Sequence, residues 1–183
     1  LEKDLLLTQL LHYLSKEKEF FDNYAFKGGT CLIKCYLGYY RFSEDMDFTY
    51  IEQDEFKGKS QKKTREIISS KIDSLAEILE KISKEIGLRF EAEKHNKEYF
   101  QYGGSNAFVT FKLWYKSEIA GRETFIKIQV NHIEKLDYAV KEIKASPIIS
   151  EDIKEEFYAL FTEDAKLLSD PIIIKAYDLK EIL

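Results

Sequence analysis

The stretch FKGGTCLIKCYLGYYRFSEDMDF, residues 26–48, places two glycines before a helix-like run and ends with two aspartates one residue apart. The residues that lead into the glycines, YAFKGG, predict a short strand. Thr30 is a suitable cap for a helix that continues to about Leu37, and Gly38 is suited to end it. The alternating run DMDFTYI, rich in aromatic and β-branched residues, predicts a second strand. The stretch therefore predicts strand, helix and strand in close succession.

The rest of the chain extends this pattern on both sides. Apolar residues at helical spacing predict helices over residues 2–16 and 62–86, and residues 151–161 also have helical character. Strand-like runs lie at residues 88–93, 107–115 and 123–133, separated by the turn signals YGGSN and IAGRE. The final IIIKAYDLKEIL predicts a strand followed by a helix. We expect an α+β (mixed α/β) fold with one mixed sheet flanked by helices.

Composition limits the class of protein. With 183 residues, 44% of them hydrophobic, the chain is long enough for one well-buried core. A formal charge of −5 argues against nucleic-acid binding by a general positive field; KGKSQKKTR, residues 57–65, is either a local basic patch or a solvated loop and first helical turn. Two cysteines, no membrane-length apolar run and no signal peptide predict a reduced cytoplasmic protein.

The aspartates at the end of the opening stretch have the spacing of a metal site. Side chains two apart on a strand point the same way, so Asp45 and Asp47 share a face. Two adjacent carboxylates repel each other unless a positive group lies between them. Mg²⁺ suits this position, because it prefers hard oxygen ligands and is commonly held by one or two carboxylates together with substrate phosphates.

The glycines complement the aspartates. A strand that ends at Gly28 and Gly29 and runs directly into a helix lets backbone N–H groups approach a phosphate without a Cβ in the way. Either pattern alone is common in proteins for purely structural reasons. Together, with Arg41 and Ser43 flanking the acids, they indicate phosphoryl or nucleotidyl transfer.

The motifs EKDLLLTQLL, FKGGTCL and RFSEDMDF, with YDLKEIL near the end, resemble the AbiEii/AbiGii family of nucleotidyltransferase-like toxins, a branch of the polymerase-β-type superfamily. The resemblance covers most of the chain and implies that residues 1–183 form a nucleotidyltransferase domain that ends before a helical C-terminal domain. It implies a cytoplasmic, type IV toxin–antitoxin or abortive-infection toxin that uses Mg²⁺ and a nucleoside triphosphate, has a cognate antitoxin, and modifies an RNA (tRNA in some relatives) or a protein acceptor.

The resemblance also implies roles for individual residues. Mg²⁺ is expected on Asp45 and Asp47, which with Lys127 form the catalytic set. The expected nucleotide-binding residues are Lys27, Gly28, Gly29, Thr30, Arg41, Ser43 and Gln129.

One departure from the superfamily pattern leaves a second hypothesis open. The strand expected to bring a third carboxylate reads FIKIQVN, whose alternation places Lys127, Gln129 and Asn131 on one face. Gln129 stands where an acid is expected, and an amide cannot act as a general base. A catalytically degenerate member that binds nucleotide or a protein partner is therefore the alternative.

For the other candidate residues, a purely structural role stands beside the functional one. His132 is expected to face away from Gln129 and to be structural, and Cys31 and Cys35 are expected to be small buried hydrophobes. Aromatic side chains on one predicted strand are suited either to core packing or to stacking on bases: Phe108, Phe111, Trp114 and Tyr115.

Overall fold

The computed structural model describes residues 2–38, 45–103, 106–146 and 170–183. Its helices are α1 (Glu2–Lys16), α2 (Lys18–Asn23), α3 (Gly28–Cys31), α4 (Gln61–Glu85) and α5 (Leu179–Ile182). A π-helical segment, Leu32–Leu37, continues α3, and a 3₁₀ turn covers Gln53–Phe56. The strands are β1 (Tyr24–Lys27), β2 (Asp45–Tyr50), β3 (Phe100–Gly103), β4 (Phe108–Lys116), β5 (Glu123–Asn131), β6 (Lys141–Ala145) and β7 (Ile172–Ala176).

The described strands form one seven-stranded mixed sheet in the order β3-β4-β5-β2-β1-β7-β6. β2 pairs parallel with β5, and β1 pairs parallel with β7, whereas the other neighbouring pairs are antiparallel. The α+β prediction is thereby confirmed. The strand that carries the two aspartates lies at the centre of the sheet.

The two faces of the sheet differ in character. One face carries fully buried apolar side chains, including Met46 and Phe48 of β2 and Ile128 and Val130 of β5. The buried sides of α1 and α4 pack with these residues in a single core. The residues that alternate with them on β2 and β5 are mostly half-buried and polar, with the buried Thr49 and the half-buried Phe125 as exceptions. The sheet therefore has a helix-covered apolar face and a polar face.

The long helix α4 follows the predicted pattern closely. Its buried residues recur every three or four positions, which places them on one stripe that faces the sheet: Ile68, Ile72, Leu75, Leu79 and Ile82. The Ser60 hydroxyl accepts a hydrogen bond from the Lys63 N–H and caps the first turn. Gly87 follows the helix with a φ of +74°, in the left-handed region that favours glycine.

A buried ion pair joins α1 to the segment that follows the glycines. The Lys34 ammonium donates hydrogen bonds to Asp4 at 2.8 Å and to the Thr8 hydroxyl at 2.9 Å. Burial lowers the pKa of Lys34, and the Asp4 carboxylate opposes that shift. The pair fixes the first helix against the π-helical turns.

Several sequence predictions need correction. Residues 88–93 do not form a strand: only a single bridge pairs Arg89 with Trp114, although Leu88 and Phe90 are buried. Strands β3 and β6 and helix α2 were not predicted. The predicted helix over residues 151–161 lies outside the described residues. Thr30 does not cap α3, which begins at Gly28; instead its buried hydroxyl donates to the Asp45 carbonyl.

Within the described part of the chain, no helix has both the length and the apolar character needed to cross a membrane.

Candidate metal and nucleotide site

Asp45, Asp47, Lys127 and Gln129 meet on the polar face because β2 and β5 run parallel in register. Asp45 is paired with Lys127, and Asp47 is paired with Gln129. The intervening Ile126 and Ile128 are fully buried on the opposite face. The predicted register is confirmed, so a lysine and an amide stand beside the two carboxylates.

Gly28 brings the backbone of α3 against the second aspartate. Its φ is +73°, and a Cβ built on it would lie 2.5 Å from Asp47 Oδ2 and 3.2 Å from Asp47 Cβ. No side chain larger than hydrogen fits there without moving the carboxylate. The structure therefore gives Gly28 a role that the sequence did not predict, close contact with the Asp47 side chain, and the predicted approach to a phosphate stays a prediction.

The start of α3 presents backbone donors close to the carboxylates. Lys27 is the residue before the helix, and its side chain makes no capping hydrogen bond. The Thr30 side chain is buried and bonds to the Asp45 carbonyl, so it anchors α3 to β2. Gly29 is exposed in the first turn. Backbone N–H groups at a helix start are suited to bind phosphate oxygens.

The two aspartates differ electrostatically. Burial raises the pKa of Asp47 above its ordinary value, the neighbouring Asp45 carboxylate raises it further, and Lys27 only partly opposes the shift. Asp45 has its own counter-ion: Lys127 Nζ lies 3.5 Å from Asp45 Oδ2. Because both of these side chains are more than 30% exposed, the pair contributes little to stability, on the order of 0–1 kcal/mol. Asp47 is therefore the carboxylate that lacks sufficient positive charge.

A hydrogen-bonded network that sequence reasoning missed lies next to Asp47. Lys27 is paired with Asp47 across the β1–β2 ladder, and its ammonium donates to Glu134. The Thr49 hydroxyl also donates to Glu134, and the Tyr177 hydroxyl donates to Thr49 at 2.8 Å. Burial alone would raise the pKa of Glu134, but the bonds from Lys27 and Thr49 outweigh it and hold the pKa below its ordinary value.

This network keeps Lys27 half-buried and ion-paired beside the site. Glu134 lies 107 positions from Lys27 in the sequence, and no local spacing signals the contact. Glu134 is ionised and already accepts two hydrogen bonds, so it is better suited to hold Lys27 in place than to accept a proton.

Gln129 occupies the position of the expected third acid. Its amide nitrogen lies 3.4 Å from the Thr110 hydroxyl on β4, which is a weak hydrogen bond. Among the residues that the structure describes, no group of three or more His, Cys, Asp or Glu side chains is arranged to hold a metal ion. The candidate carboxylate ligands on this face are Asp45 and Asp47.

The donor set nevertheless fits Mg²⁺. Asp45 and Asp47 supply hard carboxylate oxygens, and the close backbone of Gly28 leaves no room for a competing side chain. The raised pKa of Asp47 shows a negative cluster that a cation would relieve. Mg²⁺ commonly takes one or two protein carboxylates and completes its shell with water and substrate phosphates.

The remaining candidates contribute no described side chain to this site. Arg41 and Ser43 are outside the described residues. His132 is buried between the rings of Tyr24 and Tyr50, and burial lowers its pKa to about 4, as expected of a structural histidine. Cys31 is buried, as predicted, and Cys35 is half-buried.

A separate cleft of about 790 Å³ lies between α4 and the residues around β3. Lys62 and Arg65 of the basic stretch line it, and Tyr102, on the apolar face of the sheet, contributes to its wall. The stretch itself is largely solvent-exposed, in agreement with the solvated-loop interpretation. The cleft contains none of the residues of the aspartate site.

Comparison with protein-family models matches residues 10–183 to the family described as nucleotidyl transferase AbiEii toxin, type IV TA system. Comparison with curated proteins and with solved structures gave no match.

Proposed function

The chain belongs to the AbiEii family of nucleotidyl transferase toxins of type IV toxin–antitoxin systems, and from this premise we propose that it is a Mg²⁺-dependent nucleotidyltransferase. It transfers a nucleotide from a nucleoside triphosphate to a hydroxyl of an RNA, with tRNA as one candidate, or of a protein. The observation that supports this most directly is the convergence of Asp45 and Asp47 on the polar face, with the backbone of Gly28 packed against Asp47.

We propose the following roles for the residues of the site. Asp45 and Asp47 hold Mg²⁺, which neutralises charge on the triphosphate when it is bound. The N–H groups at the start of α3, at Gly28 and Gly29, bind phosphate oxygens, and Thr30 holds this helix start against β2. Lys127 is close enough to Asp45 to exchange that contact for a phosphate oxygen.

The remaining roles complete the proposed site. Gln129 hydrogen-bonds the nucleotide, Lys27 adds positive charge beside Asp47, and Arg41 and Ser43 flank the triphosphate. The acceptor hydroxyl then attacks the α-phosphorus, the bond to the β-phosphate breaks, pyrophosphate leaves, and the hydroxyl proton is lost to solvent. Such catalysis depends mainly on positioning and charge neutralisation. We place the activity in the cytoplasm, where triphosphates and RNA meet, and propose that a cognate antitoxin limits it.

The second candidate is a catalytically degenerate protein that binds nucleotide or a protein partner. One observation favours it: Gln129 pairs with Asp47 at the position of the expected third acid, and an amide cannot deprotonate an acceptor. The two candidates agree on nucleotide binding and differ on transfer.

The test is label transfer from each α-³²P nucleoside triphosphate to total RNA and to total protein. We expect Mg²⁺-dependent labelling that falls by about a hundredfold or more in Asp45→Ala and in Asp47→Ala. Asp54→Ala is the matched control, because Asp54 is an exposed acid whose partner is Lys57. Equal labelling in wild type and Asp45→Ala would refute the proposal. Mg²⁺-dependent triphosphate binding without any labelling would favour the degenerate alternative.

A further inference from the structure

The polar face continues beyond the aspartates as a patch of lysines and aromatic rings. Lys112 of β4 pairs with Lys127, which in turn pairs with Asp45, so the three residues form one row across three strands. The next row in register on β4 and β5 consists of Trp114 and Phe125. We call Lys112, Trp114 and Phe125 the aromatic–lysine patch.

The members of the patch contact one another. The Trp114 and Phe125 rings lie 4.7 Å apart in an edge-to-face arrangement, and Lys112 Nζ lies 5.9 Å from the centre of the Phe125 ring. On the other side, the Arg89 guanidinium is 5.7 Å from the Trp114 ring and is neutralised by Glu98 and Glu123. On the side toward the site, the Lys112 ammonium contacts only the Lys97 carbonyl oxygen, at 3.5 Å, and has no carboxylate partner among the described residues.

Neither ring is buried in the hydrophobic core, although Trp114 packs against its edge. Leu113 and Ile126, their neighbours along the strands, are fully buried, whereas Trp114 and Phe125 are only half-buried on the opposite face. Strands lie about 4.8 Å apart, so the Lys112 backbone is about 10 Å from that of Asp45. A chain bound across the patch would reach the proposed site of transfer within a short distance.

We propose that the aromatic–lysine patch binds the single-stranded end of a nucleic acid acceptor and leads its terminal hydroxyl toward Asp45 and Asp47. This inference rests on the proposed nucleotidyl transfer and specifies its acceptor. Flat rings beside lysines suit bases and phosphates, because bases of any sequence stack on aromatic side chains while ammonium groups contact the backbone. A folded protein acceptor offers no regular series of flat rings and phosphates.

The chain provides its own reporter for the test. Trp114 is the only tryptophan in the sequence, so tryptophan fluorescence, excited at a wavelength that tyrosine does not absorb, reports on the patch alone. The probe is a short single-stranded oligoadenylate, added to the protein and followed by both fluorescence and calorimetry. Inorganic polyphosphate serves as the second probe, because it carries the charge without the bases.

We expect oligoadenylate to quench Trp114 saturably and polyphosphate not to. Phe125→Leu should weaken oligoadenylate binding about tenfold, the effect of losing one stacked base. Lys112→Gln should weaken it and lower the slope of log K against log salt by about 0.7, the value for one phosphate contact to a single strand. Matched controls are Phe21→Leu and Lys175→Gln, because these two residues form a similar lysine–ring contact of 5.4 Å elsewhere on the molecule.

Three results would overturn the inference: undiminished calorimetric affinity in Phe125→Leu, equal binding of polyphosphate and oligoadenylate, or label transfer to protein with no oligonucleotide binding. The last would leave the proposed transfer intact. The converse result is a protein that binds the oligonucleotide through Phe125 and Lys112 and yet transfers no label. That result would support nucleic-acid binding by the patch and contradict the proposed transfer.

Discussion

Replacing Gly28 by alanine tests the packing between the helix start and Asp47, the proposed metal-binding carboxylate. Alanine in the left-handed conformation of Gly28 costs about 1–2 kcal/mol, partly offset by about 0.4–1 kcal/mol from the less flexible unfolded chain. The new Cβ would also lie 2.5 Å from Asp47 Oδ2, so the carboxylate or the helix must move. Overpacking of this kind typically costs about 1–3 kcal/mol more.

Gly87→Ala separates the two contributions. Gly87 has nearly the same φ, +74°, and a Cβ there would meet nothing within 4 Å. We therefore expect Gly87→Ala to destabilise the protein by about 1 kcal/mol and Gly28→Ala by about 2–4 kcal/mol. At about 2–4 °C per kcal/mol for a chain of this size, the difference is measurable by thermal unfolding followed by circular dichroism.

The same pair of variants tests the metal site. A ligand that binds only the folded state raises the melting temperature, so Mg²⁺ with a nucleoside triphosphate should stabilise wild type and Gly87→Ala alike. Gly28→Ala should lose most of this increase because Asp47 is displaced. Equal melting temperatures for the two variants would refute the packing argument, and an undiminished Mg²⁺ response in Gly28→Ala would refute its link to metal binding.

Three further predictions concern charge. In EDTA, Asp47→Asn should stabilise the protein by about 0.5–2 kcal/mol at neutral pH, as measured by urea unfolding. Because the pKa of Asp47 is raised in the folded state, the wild-type protein loses stability as pH rises from 3.8 through that pKa, and the two proteins should be equally stable below pH 3.8. Equal stability of the two proteins at neutral pH would contradict this prediction. Glu134→Gln, which releases Lys27, should weaken Mg²⁺ affinity about tenfold or more in calorimetry, whereas an unchanged affinity would argue against a supporting role. Asp4→Asn strands a buried lysine and should cost about 3 kcal/mol, while Asp22→Asn, in an exposed pair, should change unfolding by less than about 1 kcal/mol; similar losses in both would contradict the prediction.

Sequence periodicity was sufficient for the parts of the fold that have one buried face. Helices α1 and α4 and strands β2, β4 and β5 alternate apolar and polar residues at the period of their structure, and all were predicted close to their observed bounds. The two strands that were missed, β3 and β6, are the edges of the sheet. An edge strand has one neighbour and more solvent contact, so KEIKA in β6 shows no alternating apolar pattern.

The strand predicted over residues 88–93 was wrong although its apolar residues do alternate. Leu88 and Phe90 alternate with polar residues and are buried in the core, as a strand would require. Their backbone nevertheless makes only the bridge between Arg89 and Trp114. Hydrophobic alternation reports which side chains are buried, and it does not report whether a neighbouring strand is available for hydrogen bonding.

The candidate site also has a part that local periodicity predicts and a part that it does not. The sequence predicted that four polar side chains share one face, because each strand places residues two apart on the same side: Asp45 and Asp47 on β2, and Lys127 and Gln129 on β5. The network of Glu134, Thr49 and Tyr177 was not predictable, since Tyr177 and Thr49 meet across 128 positions of sequence. Contacts of that kind follow from the parallel pairing of β1 with β7, which no local pattern specifies.

The core also explains how the acidic pair is held in an unfavourable arrangement. Met46 and Phe48 alternate with the aspartates and are fully buried on the other face of β2. A shift of one residue would exchange the two faces, exposing both apolar side chains and burying both carboxylates. Burial of two such side chains contributes about 3–6 kcal/mol, more than the 0.5–2 kcal/mol expected from relieving the charge on Asp47. The apolar side chains of β2 thus fix which face of the sheet carries the two carboxylates, and the proposed Mg²⁺ would relieve the repulsion between them.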